Sequence, residues 1–387
     1  MDFELTEEQA LFRRSLRDFV EREIKPVARE WEQAGRYPTE IVEKMKQMGL
    51  FGLLIPAEYG GMAADMVSFS LVFEEIARGW MGIAGILGSH SLSSWMIAHH
   101  GTDEQQQKYL PDLATGARRT GIALTEPGAG TDLQGIETRA VLDGDHYVVN
   151  GTKIWITNAR HADPMPVLVK TDPSAEPRHR GMSVLLVDRD TAGYSVSRDL
   201  GKLGYKGPET CELVLDDVRV PVGQLLGGIE GRGLQQALSA LETGRVNIAA
   251  RAVGVAQAAF DAALEYSQER HAFGQPIFEF QAMQLKLADM ATALQSARLL
   301  TYWAASTLDE GRRADLETGM AKLHASETAL TVALDALRVH GAYGYSTELE
   351  LERFYRDAPL MAIGEGTNEV LRTVIAKGLR LRGGLPY

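Results

Sequence analysis

The sequence predicts an α+β chain of several domains, helical at both ends with an antiparallel β-domain between them. Three observations carry this: amphipathic helical periodicity over residues 1–120, a change to short β-rich runs over 121–228, and a return of long helical segments over 229–387. At 387 residues the chain exceeds the size at which one hydrophobic core stops growing, so more than one packed unit is expected.

In the first region, LTEEQALFRRSLRDFVEREI places Thr6 and Gln9 at capping-box spacing. Phe12, Leu16, Phe19, Val20 and Ile24 then recur at helical intervals up to Pro26. Thr102 and Gln105 repeat the signature at the start of TDEQQQKYLPDL. In the middle region, HYVVNGTKIWIT, PVLVK, MSVLLVD, YSVS and TCELVLDDVRVP are separated by turn residues with no helix-length segment between them, which favours an antiparallel sheet or small barrel over βαβ units. Asn150-Gly151 lies between β-rich flanks and predicts a tight hairpin turn, whose two central residues need positive φ. The last region holds three segments of similar length rich in Ala, Leu and Met, beginning LQQALSAL, FQAMQLKL and DLETGMAK, as in an antiparallel bundle.

Composition narrows the function. With 45% apolar and 24% charged residues the chain reads as an ordinary globular protein. Its formal net charge of −12 and scattered Lys and Arg argue against a nucleic-acid or anionic-membrane surface. The single cysteine, Cys211, cannot form an internal disulfide, and the N-terminus lacks an apolar signal core, so a cytoplasmic location, or a mature form already processed, is expected. No run approaches the length of a membrane span. HExxH, CxxC and G-x-S-x-G are all missing, and His99-His100 cannot share a helix face, so no metal site and no serine nucleophile are inferred.

Several stretches carry candidate chemistry, each beside a plainer reading. LTEPGAGTDLQG, Leu124 to Gly135, is bent by Pro127, Gly128 and Gly130 and could aim backbone N–H groups at an anion, or simply link two domains. It is not a dinucleotide fingerprint, because the required strand-to-helix transition and third glycine do not follow. Trp155 and Thr157 share a face of a strand, so an indole and a hydroxyl would be presented together to a planar ring, or be an ordinary half-buried pair. ERHAFGQPI, Glu269 to Ile277, offers an arginine and an aromatic ring for a phosphate and a base, or a plain interhelical turn. GAYGYSTELELERFYRDAP permits backbone approach at Gly341 and Gly344, or a helix cap. The small residues of MGIAGILG, Met81 to Gly88, suit a pocket floor or close helix packing. Finally, IGEGTNEVLR sets Glu365 between two glycines ahead of a helical stretch, as a reactive carboxylate or as a helix N-terminal charge.

Taken in order, LTEPGAGTD, NGTKIWITN, GRVNIAARAVGVAQ, ERHAFGQPI, YRDAP and IGEGTNEVLR make the whole chain resemble the acyl-CoA dehydrogenase family. The resemblance implies an N-terminal α-helical domain, a central β-domain and a C-terminal four-helix bundle. It also implies a homotetramer built from dimers, with FAD between the β-domain and the bundle and its ADP end touching the neighbouring subunit. Carried over residue by residue, Leu124, Thr125, Gly130 and Thr131 line the flavin, with Thr131 also near the thioester. Trp155 and Thr157 lie against the isoalloxazine. Arg270, Phe273, Gln281, Arg338, Gly341 and Ala342 hold the pyrophosphate and adenine end of the partner's FAD, and Thr367 and Glu369 lie beside the ADP portion. Glu242 and Arg245 contact the CoA portion of the substrate, and Gly366 lets the backbone approach the thioester carbonyl. Two departures stand out: Arg338-Val-His-Gly-Ala where glutamine and two consecutive glycines are common, and Gly364 where tyrosine is common.

The reaction so implied is α,β-dehydrogenation of an acyl-CoA to the trans-2-enoyl-CoA. Glu365 removes the α-proton, flavin N5 accepts the β-hydride, and electrons pass to an electron-transfer flavoprotein. Some relatives carry the base at the position of Gly244, where glycine cannot serve. A flavin oxidase or monooxygenase on the same fold and a non-catalytic FAD-retaining binding protein are the competing expectations; a nicotinamide enzyme lacks its fingerprint.

Overall fold

The computed structural model describes residues 4–385; the outermost residues of the expected terminal domains, 1–3 and 386–387, lie outside the described residues. The chain begins with helices α1 (Glu7–Phe19), α2 (Lys25–Gln33), α3 (Thr39–Gln47), α4 (Met66–His100) and α5 (Asp103–Thr115). Strands β1 (Arg139–Asp143), β2 (His146–Thr157), β3 (Met165–Lys170), β4 (Met182–Val187), β5 (Tyr194–Asp199) and β6 (Thr210–Pro221) follow. Helix α6 (Gly233–Glu269), a small hairpin β7 (His271–Ala272) and β8 (Gln275–Pro276), and helices α7 (Gln281–Asp309), α8 (Asp315–Val339), α9 (Leu351–Ile363) and α10 (Asn368–Arg382) complete it.

Both capping boxes form: Thr6 with Gln9 and Thr102 with Gln105 exchange the reciprocal side-chain to backbone bonds that satisfy N-terminal donors. Pro26 does not stop the first helix. A π-turn at Val20–Ile24 widens the ladder, and Pro26 then falls in the first turn of α2, where a missing N–H costs nothing. Helix α4 is buried on nearly all sides because it runs between the N-terminal helices and α6, which is why its sequence shows little amphipathic pattern.

The sheet runs β4-β3-β1-β2-β6-β5. Its pairings are antiparallel except for the short parallel contact of β1 with β3 at Arg139 and Lys170, so the expected antiparallel sheet is in fact mixed. Asn150-Gly151 is not a turn. It lies inside β2 at a bulge opposite β6, where Asn150 exchanges side-chain bonds of 2.9 Å with Asp217. Glycine is needed at 151 because a Cβ would overlap Thr138. The β1–β2 turn is instead Gly144-Asp145, with Gly144 at φ +65°.

The apolar runs of β3 and β4 are buried on both faces. Val167, Val169, Leu185 and Val187 face the inner sheet core. Leu168, Val184 and Leu186 pack on Met96 and Ile97 of α4, Leu110 and Leu113 of α5, and Ala237 and Ala240 of α6. At the C-terminal end α8 packs against α6, α7, α9 and α10, so the bundle and the sheet share α6 as a common wall.

Candidate active site

Glu365 lies in the short link between α9 and α10, at φ +54°, a conformation that costs a non-glycine residue energy and clusters at functional sites. Its Oε2 is buried without a hydrogen-bond partner. A Cβ at Gly244 of α6 would overlap that oxygen, so glycine at 244 is the seat of the Glu365 carboxylate. Burial pushes the Glu365 pKa up to about 7, against the opposing pull of Arg251, Lys322 and Arg245. The link is held from below: buried Lys322 of α8 donates to Gly366 O at 2.7 Å and to Asn368 Oδ1 at 3.0 Å, and Thr367 caps α10 by accepting from Val370 N.

The end of β2 is linked to this region through Tyr205, on which Glu365 acts electrostatically. Trp155 has φ +64° in a second bulge of β2, so it does not share a simple strand face with Thr157. The indole is 56% exposed, while Thr157 is half-buried with its hydroxyl 3.4 Å from that of Tyr205. The loop from Leu124 is tied to the same strand. Buried Lys153 donates to Glu126 Oε1 at 2.7 Å and to Leu124 O at 3.1 Å, Ile154 N donates to Thr125 O, and Glu126 accepts from the N–H groups of Glu137 and Thr138. Gly128 meets no other heavy atom within 4 Å of where a Cβ would stand, so this loop offers its backbone to an approaching group.

An unpartnered, elevated carboxylate that acts on Tyr205, whose hydroxyl lies beside that of Thr157, is suited to proton abstraction. Comparison with known proteins agrees. Residues 6–117, 121–218 and 231–380 match the models for the N-terminal, middle and C-terminal domains of acyl-CoA dehydrogenase. The chain belongs to the acyl-CoA dehydrogenase family.

Among relatives of this family, it is 42% identical over 379 residues to the short-chain specific acyl-CoA dehydrogenase of Clostridium acetobutylicum, covering 97% of this chain and 99% of that one. It is 40% identical over 374 residues to the caffeyl-CoA reductase-Etf complex subunit of Acetobacterium woodii, covering 96% and 98%. Among solved structures, butyryl-CoA dehydrogenase from Megasphaera elsdenii superposes with a TM-score of 0.95 at 37% identity, covering 98% of this chain and 100% of that one. As a member of the acyl-CoA dehydrogenase family the protein is an oxidoreductase.

The family implies FAD, and the residues fit such a group. The indole of Trp155, the Thr157 hydroxyl and the open backbone at Gly128 can receive a flat ring and an anionic tail. The other sequence-predicted residues fall into separate places. Thr131 and Gly130 are exposed beyond the anchored loop. Glu242 and Arg245 lie on α6 beside Gly244, both largely buried, with Arg245 Nε unpartnered. Arg270, Phe273, Gln281, Arg338, Gly341 and Ala342 are exposed together at the far end of the bundle, where Tyr266 of α6 stacks on His340 with ring centroids 4.2 Å apart. They are not brought to Glu365 within one chain. Glu369 is exposed in the first turn of α10.

Sequence reasoning missed Lys153 and Glu126, Lys322, Tyr205, Asn247 and Arg251. Arg251 left the clearest trace, as a charge within the apolar run IAARAVGVA, which calls for a buried partner. MGIAGILG is close packing: a Cβ at Gly85 would overlap the Tyr205 hydroxyl, and one at Gly88 the Asn247 amide. Among the described residues no helix is long and apolar enough to cross a membrane.

Proposed function

We propose that this oxidoreductase dehydrogenates an acyl-CoA thioester between its α and β carbons, with Glu365 as the base. The observation that carries the reading is the buried, unpartnered Glu365 Oε2 in the seat left by Gly244. A thioester α-proton is a weak acid, so the base must be dry, close and of matched strength. Glu365 Oε2 takes that proton, the Lys322 anchor holds the carboxylate in register, and a backbone N–H of the Glu365–Gly366 segment stabilises the negative charge growing on the thioester oxygen. When bound, FAD supplies the acceptor for the β-hydride at its N5.

The roles implied by resemblance follow. Leu124, Thr125, Gly130, Thr131, Trp155 and Thr157 hold the flavin, and Thr367 and Glu369 flank its ADP portion. Glu242 and Arg245 hold CoA, with Thr131 and Gly366 near the thioester. Arg270, Phe273, Gln281, Arg338, Gly341 and Ala342 serve the FAD of a neighbouring subunit in a homotetramer. The 97% exposure of Phe273 and the exposed Tyr345 on that end of the bundle support such an assembly. The domains divide at 120/121 and 228/229. Electrons pass to an electron-transfer flavoprotein, a reading supported by the relative named for its complex with Etf. That relative is named a reductase, and a carboxyl group with a pKa about 7 can return a proton as readily as remove one.

The test is Glu365→Gln. The variant keeps yellow, FAD-loaded protein but no acyl-CoA bleaches its flavin under anaerobic conditions. Bleaching at the native rate would remove Glu365 as the base, and a native protein bleached by no acyl-CoA would remove the substrate class. Rapid reoxidation of the bleached flavin in air would turn the reading toward an oxidase.

A further inference from the structure

Arg251 is a buried cation that the proposed chemistry does not use. It lies on α6, 4% exposed, and makes no ion pair within 4 Å among the described residues, though it acts on Glu365 over a longer range. Its Nη2 meets the Met81 thioether at 2.8 Å, a weak acceptor, and its Nε has no partner. The guanidinium carbon stands 5.3 Å from the centre of the Tyr205 ring, whose hydroxyl reaches Thr157. One turn earlier on the same helix, Asn247 is fully buried with both side-chain polar atoms unpartnered. One turn earlier again stands Gly244, against Glu365.

Gly244, Asn247 and Arg251 therefore run along one face of α6. The axial span from Gly244 to Arg251 is about 10 Å at the helical rise per residue, the reach of a short acyl chain. The opposing face of α4 carries Met81, which meets Arg251, and Gly85 and Gly88, whose missing side chains admit Tyr205 and Asn247. This face of α6 begins at the base and ends at a buried guanidinium without a carboxylate and an amide without a hydrogen-bond partner. Burying an unpaired charge is costly, and an apolar acyl chain would strip it of its last water. Arg251 exerts the largest of three pulls on the Glu365 carboxylate, ahead of Lys322 and Arg245, yet that role uses neither its unpartnered Nε nor its weak contact with Met81. That role also leaves Asn247 unexplained.

We propose that Arg251 and Asn247 form the distal end of the acyl subsite and select a short acyl thioester whose far end carries a carboxylate. The proposal rests on the acyl-CoA reading above. The Arg251 fork takes the distal carboxylate, the Asn247 amide donates to it, and the reacting carbons are left beside Glu365.

The experiment measures kcat/KM for flavin bleaching by the holoenzyme with matched acyl-CoAs, straight-chain and ω-carboxylated, at several short chain lengths. The native enzyme prefers the ω-carboxylated member at its best length. Arg251→Met lowers that preference ratio by about a hundredfold, the size of a lost buried charge pair. Should this variant fail to fold, the native preference decides, with Asn247→Ala giving a smaller loss in the same ratio. Equal or better turnover of straight-chain members would overturn the proposal while leaving the acyl-CoA reading intact. An equal fall for both series in Arg251→Met would overturn it too, by showing that Arg251 acts through Glu365. If neither series bleaches the flavin, the acyl-CoA reading fails and the proposal falls with it.

Discussion

Glu365 is held at φ +54° and Trp155 at φ +64°, and Asn158 and Tyr205 beside them also have positive φ. Each costs on the order of 1–3 kcal/mol, so the surrounding packing must hold all four in place. For Glu365 the environment also sets its proton affinity. Burial raises its pKa from 4.5 to about 7, so the free enzyme holds the basic form above that pH and the protonated form below it. The rate of anaerobic bleaching at low acyl-CoA concentration therefore rises through pH about 7 to a plateau; a rise centred on the ordinary carboxylate range would refute the shift. Stability runs the other way. Between pH 4.5 and about 7 the unfolded chain ionises Glu365 while the folded chain keeps its proton, so the native protein loses stability as pH rises. Glu365→Gln should thus melt higher than the native protein above pH 7, by a difference worth about 3 kcal/mol at most, and equally below pH 4.5. The odd acid between glycines was legible in the sequence; its depth and its elevated pKa were not, because both come from α6 and α8.

At the scale of elements, the glycine-rich loop after Leu124 stays in place because Lys153 of β2 reaches back to it. The Lys153–Glu126 pair is almost fully buried and Glu126 also gathers two backbone N–H groups. Removing one partner of such a pair strands the other charge. Lys153→Met should cost about 3–5 kcal/mol in denaturant unfolding and weaken flavin retention, read as FAD lost on desalting. Unchanged stability would mean that water reaches Glu126. Periodicity found the helices and both capping boxes because those signals are local. It misplaced the hairpin because Asn150-Gly151 also suits a bulge, and only the approach of Thr138 to Gly151 distinguishes the two. It read Pro26 as a stop because a π-turn leaves no residue signature.

Over the whole molecule, the YRDAP stretch of α9 locks three regions together. Arg356 makes a bidentate pair with buried Glu32 of α2 at 2.6 and 3.0 Å and donates to Leu203 O in the β-domain. Asp357 accepts from Tyr205 N at 2.7 Å, which fixes the ring that faces Thr157 and Arg251. Arg356→Met should lower stability by about 3 kcal/mol through stranded Glu32 and reduce turnover as Tyr205 loosens, measured by thermal melting beside flavin bleaching. Retained melting temperature and turnover would show the three regions to be independent. The order helices, sheet, bundle was set by the sequence alone, since hydrophobic period and turn chemistry act over a few residues. So was family membership, because its motifs are contiguous. Only the tertiary structure decided that Gly244 seats Glu365, that Lys153 anchors the loop at Leu124, and that Asn247 and the Arg251 Nε are buried without partners. Those facts depend on which side chains from distant segments share one low-dielectric space, and burial, with the charge it leaves unanswered, exists only once the chain has packed.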